Sequence, residues 1–157
     1  MASRIRVFLG YALEDECLAM RNIEAHLETI WWQRHFDLLI APISDASEDL
    51  AECINMSDII LIPLSQFLLG SGFCNSELML RAIERWRRGE VFILPIHFRK
   101  IEREETPFAG LQWLPGADGS KPMMDWRNKD TAAFNIEESV RRIIDELDRK
   151  RNGGQRL

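Results

Sequence analysis

Four short apolar runs, separated by segments with helical spacing, constrain what this chain can fold into. The runs cover residues 5–9, 36–40, 59–64 and 91–97. The longer segments between them repeat apolar residues at intervals of three and four, which is the period of an amphipathic helix. Strands that alternate with helices form a parallel sheet covered on both faces. The pattern therefore predicts an α/β domain.

Right-handed crossovers leave few arrangements of such strands. We predict a three-layer, flavodoxin-like fold whose five-stranded parallel sheet has the order 2-1-3-4-5. The fifth strand is predicted at residues 121–125, at an edge of the sheet, because Pro122 cannot donate to a neighbouring strand. The last helix is predicted at residues 132–150, with Phe134 on its buried side, and residues 151–157 as a flexible tail.

The first helix is predicted to open with the acidic run at residues 14–16, because acidic groups suit the positive end of a helix dipole. Its apolar face is assigned to residues with helical spacing, namely Leu18, Ile23, Leu27 and Ile30. Trp31 and Trp32, near the end of this helix, are expected to pack on the sheet.

Length, charge and cysteine content narrow the class of protein. The 157 residues suffice for one domain. A formal net charge of −5 argues against a general binder of nucleic acid or anionic membranes. Three cysteines without CxxC spacing argue against a disulfide framework or a zinc site and are typical of a reducing cytoplasm. Without a signal peptide or 18 consecutive apolar residues, the chain is predicted to be cytoplasmic.

The segment at residues 70–88 connects the third and fourth apolar runs and is predicted to become a helix. Phe73 and Glu77 stand four residues apart, so within one helix they would share a face. From the pattern alone, Glu77 is a solvated residue that pairs with Arg81. In parallel sheets, ligands bind outside the carboxyl ends of the strands, near the switch point between strands 1 and 3. The segments expected there include Gly10 and the residues that follow strands 2 and 3.

Several kinds of site lack their sequence signals. Neither GxGxxG nor GxxxxGK[ST] occurs, which argues against dinucleotide-fold and P-loop phosphate binding. A phosphoacceptor receiver would need an acidic cluster directly after strand 1 and an aspartate at the end of strand 3. Here strand 1 ends in Gly-Tyr-Ala and strand 3 in Pro-Leu-Ser, which argues against that class. The three histidines are scattered and no metal site is predicted. Cys74 is interpreted as a small core residue, and residues 14–16 as helix capping.

The ordered motifs resemble a bacterial Toll/interleukin-1 receptor (TIR) domain. The opening strand and turn read IRVFLGYALEDE, and the middle reads MSDIILIPLSQFLLGSGFCNSELMLRAIERWRRGE. The stretches VFILPIHFR, TPFAGLQWLP and KPMMDWRNKD follow in the expected order. The resemblance covers about residues 4–147, and it implies a TIR domain over residues 1–150.

The resemblance implies site residues. Glu77 matches the essential glutamate of enzymatic members, and Phe73 matches an aromatic, usually tryptophan, that lies beside the nicotinamide. Gly10 and Tyr11 match the turn that lines the same cleft, and Ser65 matches a small polar residue after strand 3. The loop after strand 2 looks shortened, without the family's arginine and glycine, and Asp45 is the candidate replacement for its lost polar contact.

For function, the resemblance implies cleavage of NAD⁺ at the nicotinamide–ribose bond. The products would be nicotinamide and either ADP-ribose or a cyclic isomer, with NAD⁺ as substrate and without a metal or cofactor. Activation by self-association through TIR–TIR contacts is expected, in bacterial defence or signalling, with a sensor domain or protein as a further partner. The alternatives are a non-enzymatic TIR adaptor, which the shortened loop and Phe73 favour, and a sensor that binds NAD⁺ without cleaving it. Glu77 favours the enzyme.

Overall fold

In the computed structural model, which describes residues 4–43 and 48–153, four parallel strands form one sheet. The strands are β1 (Ile5–Ala12), β2 (Phe36–Ile43), β3 (Ile59–Leu64) and β4 (Phe92–His97). Their order is β2-β1-β3-β4, and each neighbouring pair is parallel. The predicted α/β class and the order of the first four strands are therefore confirmed.

Helices cover both faces of the sheet. They are α1 (Leu18–Gln33), α2 (Glu48–Met56), α3 (Gln66–Gly70), α4 (Glu77–Arg87) and α5 (Lys129–Gly153). Residues of α1 and α5 share one apolar cluster with the sheet, and residues of α2, α3 and α4 share the other. None of these helices combines the length and the apolar character needed to cross a bilayer.

The predicted fifth strand at residues 121–125 is wrong, because this segment contains a 3₁₀ turn at Met123–Asp125. Beside β4, Leu114 forms a single parallel β-bridge with Ile96. Its N–H donates to the carbonyl of Pro95 at 3.0 Å, and its carbonyl accepts from the N–H of His97 at 2.7 Å. The residue after Leu114 is a proline, which cannot donate, so the pairing stops there.

The last helix differs from its prediction at both ends. It begins at Lys129 and continues to Gly153, so residues 151–153 are helical rather than part of a tail. Arg151 secures this last turn, because its Nη2 donates to Asp58 Oδ1 at 2.6 Å. Phe134, predicted to be buried, is exposed.

Three residues assigned to the buried side of the first helix also lie at the surface. Leu18 and Trp31 are exposed, and Trp32 keeps 80% of its accessible surface. The two tryptophan rings pack against each other edge to face, with centroids 5.3 Å apart. The buried face of α1 ends at Ile30, so the next two positions turn about 100° and 200° away from it.

His26 connects α1 to α5 through two carboxylates. Its Nδ1 lies 2.9 Å from Glu137 Oε1, and its Nε2 lies 2.9 Å from Asp130 Oδ1. A ring that donates to both carboxylates is the protonated imidazolium. Partial burial by itself would lower the pKa of His26, but the hydrogen bonds and charges of Asp130 and Glu137 outweigh it and raise the pKa above 6.5.

We expect the stabilisation from His26 to decline with rising pH. Because the pKa of His26 is higher in the folded state, its contribution to the free energy of unfolding is complete below pH 6.5. The contribution is lost as the pH rises through the raised pKa. His26→Gln should therefore cost about 1–2 kcal/mol at about pH 5.5 and less at about pH 8.5. Urea unfolding of both proteins across this range measures the difference, and a constant difference would contradict the assignment.

Candidate functional site

The carboxyl ends of β1 and β3 meet at the middle of the sheet, where the strand order reverses. Because the connections after β1 and β3 leave toward opposite faces, a crevice at this edge is the usual ligand position in such folds. Three segments reach this edge: the 3₁₀ turn Leu13–Asp15 after β1, helix α3 after β3, and Arg99 after β4. Their side chains define the candidate site.

Asp15 is the centre of a buried polar network at this edge. Its side chain is fully buried, and both of its oxygens accept hydrogen bonds. The Ser65 hydroxyl donates a short bond to Oδ2, and Arg99 Nε donates to Oδ1 at 2.6 Å. Ser65 also caps α3, since its Oγ accepts from the N–H of Leu68 at 3.2 Å. The network thus joins the ends of β1, β3 and β4.

Arg99 is held by more than its ion pair with Asp15. Its backbone N–H donates to the carbonyl of Leu64, the last residue of β3, at 3.1 Å. The guanidinium carbon lies 5.8 Å from the ring centroid of Phe67 and 5.6 Å from that of Phe98. Both distances allow cation–π attraction.

Phe73 and Glu77 belong to different elements: Phe73 lies in the turn between α3 and α4, and Glu77 lies in α4. Gly72 adopts a left-handed conformation with φ of 81°, and residues Phe73–Asn75 form a 3₁₀ turn. Ser76 then caps α4, because its Oγ accepts from the N–H of Met79. The helix begins at Glu77, so the prediction that Phe73 and Glu77 share a helical face is wrong.

The side chains of this turn point into the core. Phe73 is only 7% exposed and packs in the apolar cluster of α2 and α4, beside the fully buried Cys74. Burial raises the pKa of the Cys74 thiol to about 12, so the thiol stays protonated near neutral pH. The interpretation of Cys74 as a core residue is confirmed.

Glu77 lies at the surface on the first turn of α4. Its side chain is 80% exposed, and Oε1 accepts from Arg81 Nη2 at 2.6 Å. The carboxylate borders an open groove of about 560 Å³ between α2 and α4. The groove is lined by Asn55, Glu77, Leu80, Arg81, Glu84, Arg85 and Arg88. Neither Phe73 nor Ser65 belongs to this lining.

Gly10 and Tyr11 lie inside β1, paired with Ala41 and Pro42, and not in a turn after the strand as predicted. A Cβ at Gly10 would come within 2.6 Å of the Phe8 ring, so glycine is needed there for packing. Tyr11 is buried in the cluster of α1 and α5.

Tyr11 and Phe73 therefore lie on opposite sides of the sheet. Of the predicted site residues, the structure brings Ser65 into the Asp15 network at the edge, whereas Gly10 and Tyr11 remain within the strand. Asp45 lies outside the described residues. Among residues 4–43 and 48–153, no three His, Cys, Asp or Glu side chains are grouped as metal ligands.

His97, at the end of β4, is buried against the loop that follows the strand. Its Nδ1 donates to the carbonyl of Gly119 at 2.8 Å, and its ring meets Trp113 edge to face at 5.5 Å. Nε2 is buried and has no hydrogen-bond partner among the described residues. The contacts with Trp113 and Gly119 fasten the loop after β4 to the end of that strand.

Comparison with known proteins finds a similarity to part of a longer protein. No protein-family model matches the chain. The chain is 32% identical over 143 residues to y4lF, an uncharacterized protein of Sinorhizobium fredii (strain NBRC 101917 / NGR234). The match covers 86% of this chain and 42% of the relative, so the chain spans less than half the length of the curated protein that it matches.

The described residues thus include two distinct charged features. One is the exposed carboxylate of Glu77 beside the groove between α2 and α4. The other is the buried Asp15, which orients Arg99 and Ser65. An exposed carboxylate can stabilise positive charge on a bound substrate, and an oriented guanidinium can bind an anion.

Proposed function

We propose that this chain is a TIR-type NAD⁺ nucleosidase that cleaves the bond between nicotinamide and ribose. The observation that supports this most is the position of Glu77. Its carboxylate is accessible on the first turn of α4 and borders an open groove between α2 and α4. An adaptor that acts only by assembly has no need of a carboxylate there, whereas this reaction does.

The chemistry needs little beyond one carboxylate. When the N-glycosidic bond breaks, its electron pair goes to the nicotinamide ring, which loses its positive charge and leaves as a neutral molecule. Positive charge then develops at the ribose carbon, as in glycoside cleavage. Glu77 stabilises this oxocarbenium ion electrostatically. Attack by water, with loss of one proton, gives ADP-ribose, and attack by the adenine gives a cyclic isomer.

The exposure of Glu77 sets a requirement for this mechanism. Water screens an isolated surface carboxylate, which weakens its effect on a nearby charge. Arg81 also competes for Glu77 at 2.6 Å. Substrate must displace Arg81 and the site must exclude water, which a second copy of the chain would accomplish. Activity is therefore coupled to self-association, and a sensing partner in the bacterial cytoplasm would supply the trigger during defence.

The test is release of nicotinamide from NAD⁺ at a series of protein concentrations, followed by chromatography. We expect the rate to rise more steeply than linearly with protein concentration across the range in which light scattering detects oligomers. The same chromatogram distinguishes ADP-ribose from a cyclic product. A rate linear in concentration across that range would refute activation by assembly, and the absence of nicotinamide at all concentrations would refute the enzyme.

A specific surface favours the second candidate, a TIR interaction module. Trp31 and Trp32 are exposed at the end of α1, close to Leu38 of β2, which forms an edge of the sheet. A depression of about 430 Å³, which Glu28 and Leu38 also line, lies under the tryptophans. Oligomers that form without any cleavage of NAD⁺ would select this function. Calorimetric binding of NAD⁺ without turnover would select a sensor.

A further inference from the structure

We propose that Arg99 is the receptor for a diphosphate group at the carboxyl edge of the sheet. The ligand class is a nucleotide with a diphosphate, and the choice of NAD⁺ as the particular nucleotide rests on the proposed function. The proposal comes from three features of Arg99: its fixed orientation, its remaining hydrogen-bond donors and its position relative to Glu77.

The orientation of Arg99 is fixed by buried groups. The fully buried Asp15 accepts a hydrogen bond from Arg99 Nε at 2.6 Å, and the Ser65 hydroxyl donates to the other oxygen of the same carboxylate. Phe67 and Phe98 lie beside the guanidinium carbon at 5.8 and 5.6 Å. An arginine fixed in this way loses little conformational entropy when it binds a ligand. The network therefore prepares the guanidinium for recognition.

The terminal amino groups of Arg99 are available to donate hydrogen bonds to a ligand. A guanidinium carries five N–H donors, of which Nε supplies one to Asp15. Among the described residues, Nη1 and Nη2 have no hydrogen-bond or ion-pair partner, and the side chain is 29% exposed. Two parallel N–H groups match two oxygens of a phosphate, which gives a strong, charge-assisted pair.

Three other arginines are differently engaged. Arg103 lies over the Trp113 ring at 4.7 Å and donates to the carbonyl of Asp118. Arg81 pairs with Glu77 on the surface of α4. Arg142, exposed on α5, has no buried carboxylate to orient it. Arg99 combines a buried anchor with open donors.

The position of Arg99 suits a dinucleotide. Its backbone is bonded to Leu64 at the end of β3, and its guanidinium contacts Phe67 in α3. The chain that leaves α3 reaches Glu77 after one short turn. A dinucleotide carries its diphosphate between its two nucleosides. If NAD⁺ is the ligand, as the proposed function requires, it must present its diphosphate to Arg99 and a ribose to Glu77.

The test uses the full chain and two matched variants, Arg99→Lys and Arg142→Lys. Each keeps the positive charge and removes the two-pronged donor geometry, and Arg99→Lys retains a cation beside Asp15. Inorganic pyrophosphate and ADP-ribose are the probes, and calorimetry measures their dissociation constants. We expect Arg99→Lys to weaken both by at least about tenfold and Arg142→Lys to change them by less than about twofold.

A second readout does not depend on the folding of any variant. In wild-type protein, the side-chain Nε–H resonance of Arg99 should shift when pyrophosphate is added, because phosphate oxygens bind the same guanidinium. An unmoved resonance, or equal affinities in Arg99→Lys and wild type, would overturn the proposal. Binding of pyrophosphate without binding of ADP-ribose would overturn the assignment to a nucleotide.

These experiments distinguish a failure of the Arg99 receptor from a failure of the proposed nucleosidase activity. If pyrophosphate and ADP-ribose bind through Arg99 and NAD⁺ is not cleaved, the receptor stands and the nucleosidase fails. If NAD⁺ is cleaved with an unchanged KM in Arg99→Lys, the receptor fails and the nucleosidase stands. If both are correct, Arg99→Lys raises KM for NAD⁺ at least about tenfold and leaves kcat within about threefold, because the lost contact is made equally in ground state and transition state.

Discussion

Replacement of Asp15 by alanine is expected to lower the free energy of unfolding by about 3 kcal/mol. The change leaves the buried Ser65 hydroxyl without its acceptor and removes the carboxylate that balances Arg99. Breaking a buried pair on one side costs more than the pair contributes, because the remaining group stays desolvated. For a chain of this size, the melting temperature should fall by about 6–12 °C.

The matched control is Glu14→Ala in the same 3₁₀ turn. Glu14 is exposed, and its removal should change the free energy of unfolding by less than about 0.5 kcal/mol. Urea denaturation of the two variants beside wild type measures both effects. Equal stabilities for Asp15→Ala and Glu14→Ala would show that the network at the end of β1 does not stabilise the fold.

Replacement of Gly119 by alanine is also expected to lower the free energy of unfolding by about 3 kcal/mol or more. Gly119 has φ of 63°, and an added Cβ would lie 2.5 Å from the backbone carbon of Trp113. Because that contact is with backbone, it cannot be relieved by rotation of a side chain. A shift of residue 119 would also disturb the hydrogen bond from His97 Nδ1 to its carbonyl.

Gly89→Ala isolates the cost of the backbone conformation. Gly89 has φ of 74°, and an added Cβ there would meet nothing within 4 Å. This variant should therefore lose only about 1–2 kcal/mol from the left-handed conformation. Thermal and urea unfolding of both variants give the difference, which we expect to be at least about 1 kcal/mol. A loss in Gly119→Ala no greater than in Gly89→Ala would contradict the close approach to Trp113.

Hydrophobic periodicity was sufficient to predict the sheet but not its far edge. Both central strands, β1 and β3, are apolar runs that are buried along nearly their whole length, as is typical of a parallel sheet covered on both faces. The prediction of a fifth strand was wrong because pairing beside β4 depends on one residue, Leu114, and on the hydrogen-bonding capacity of its neighbours. A single bridge produces no periodic signal in a sequence.

The site was harder to predict because it depends on turn geometry. The acidic run at residues 14–16 predicts helix capping for all three members, yet the 3₁₀ turn directs Asp15 inward while Glu14 and Glu16 stay exposed. One signal was present: Arg99 lies just beyond a buried strand, where a charged side chain needs a partner. The Phe73 and Glu77 spacing was misinterpreted because Ser76 starts α4 after Phe73.

The role of Glu77 is measured most directly when Glu77→Gln is compared with Glu84→Gln in one assay of nicotinamide release from NAD⁺. The two glutamates lie on the same helix and border the same groove, and each pairs with an arginine at 2.6 Å. Both changes should leave stability within about 0.5 kcal/mol of wild type, since exposed pairs contribute little. We predict that Glu77→Gln lowers kcat at least about 100-fold and that Glu84→Gln stays within about threefold. Equal rates in the two variants would contradict the assignment of Glu77 as the catalytic carboxylate.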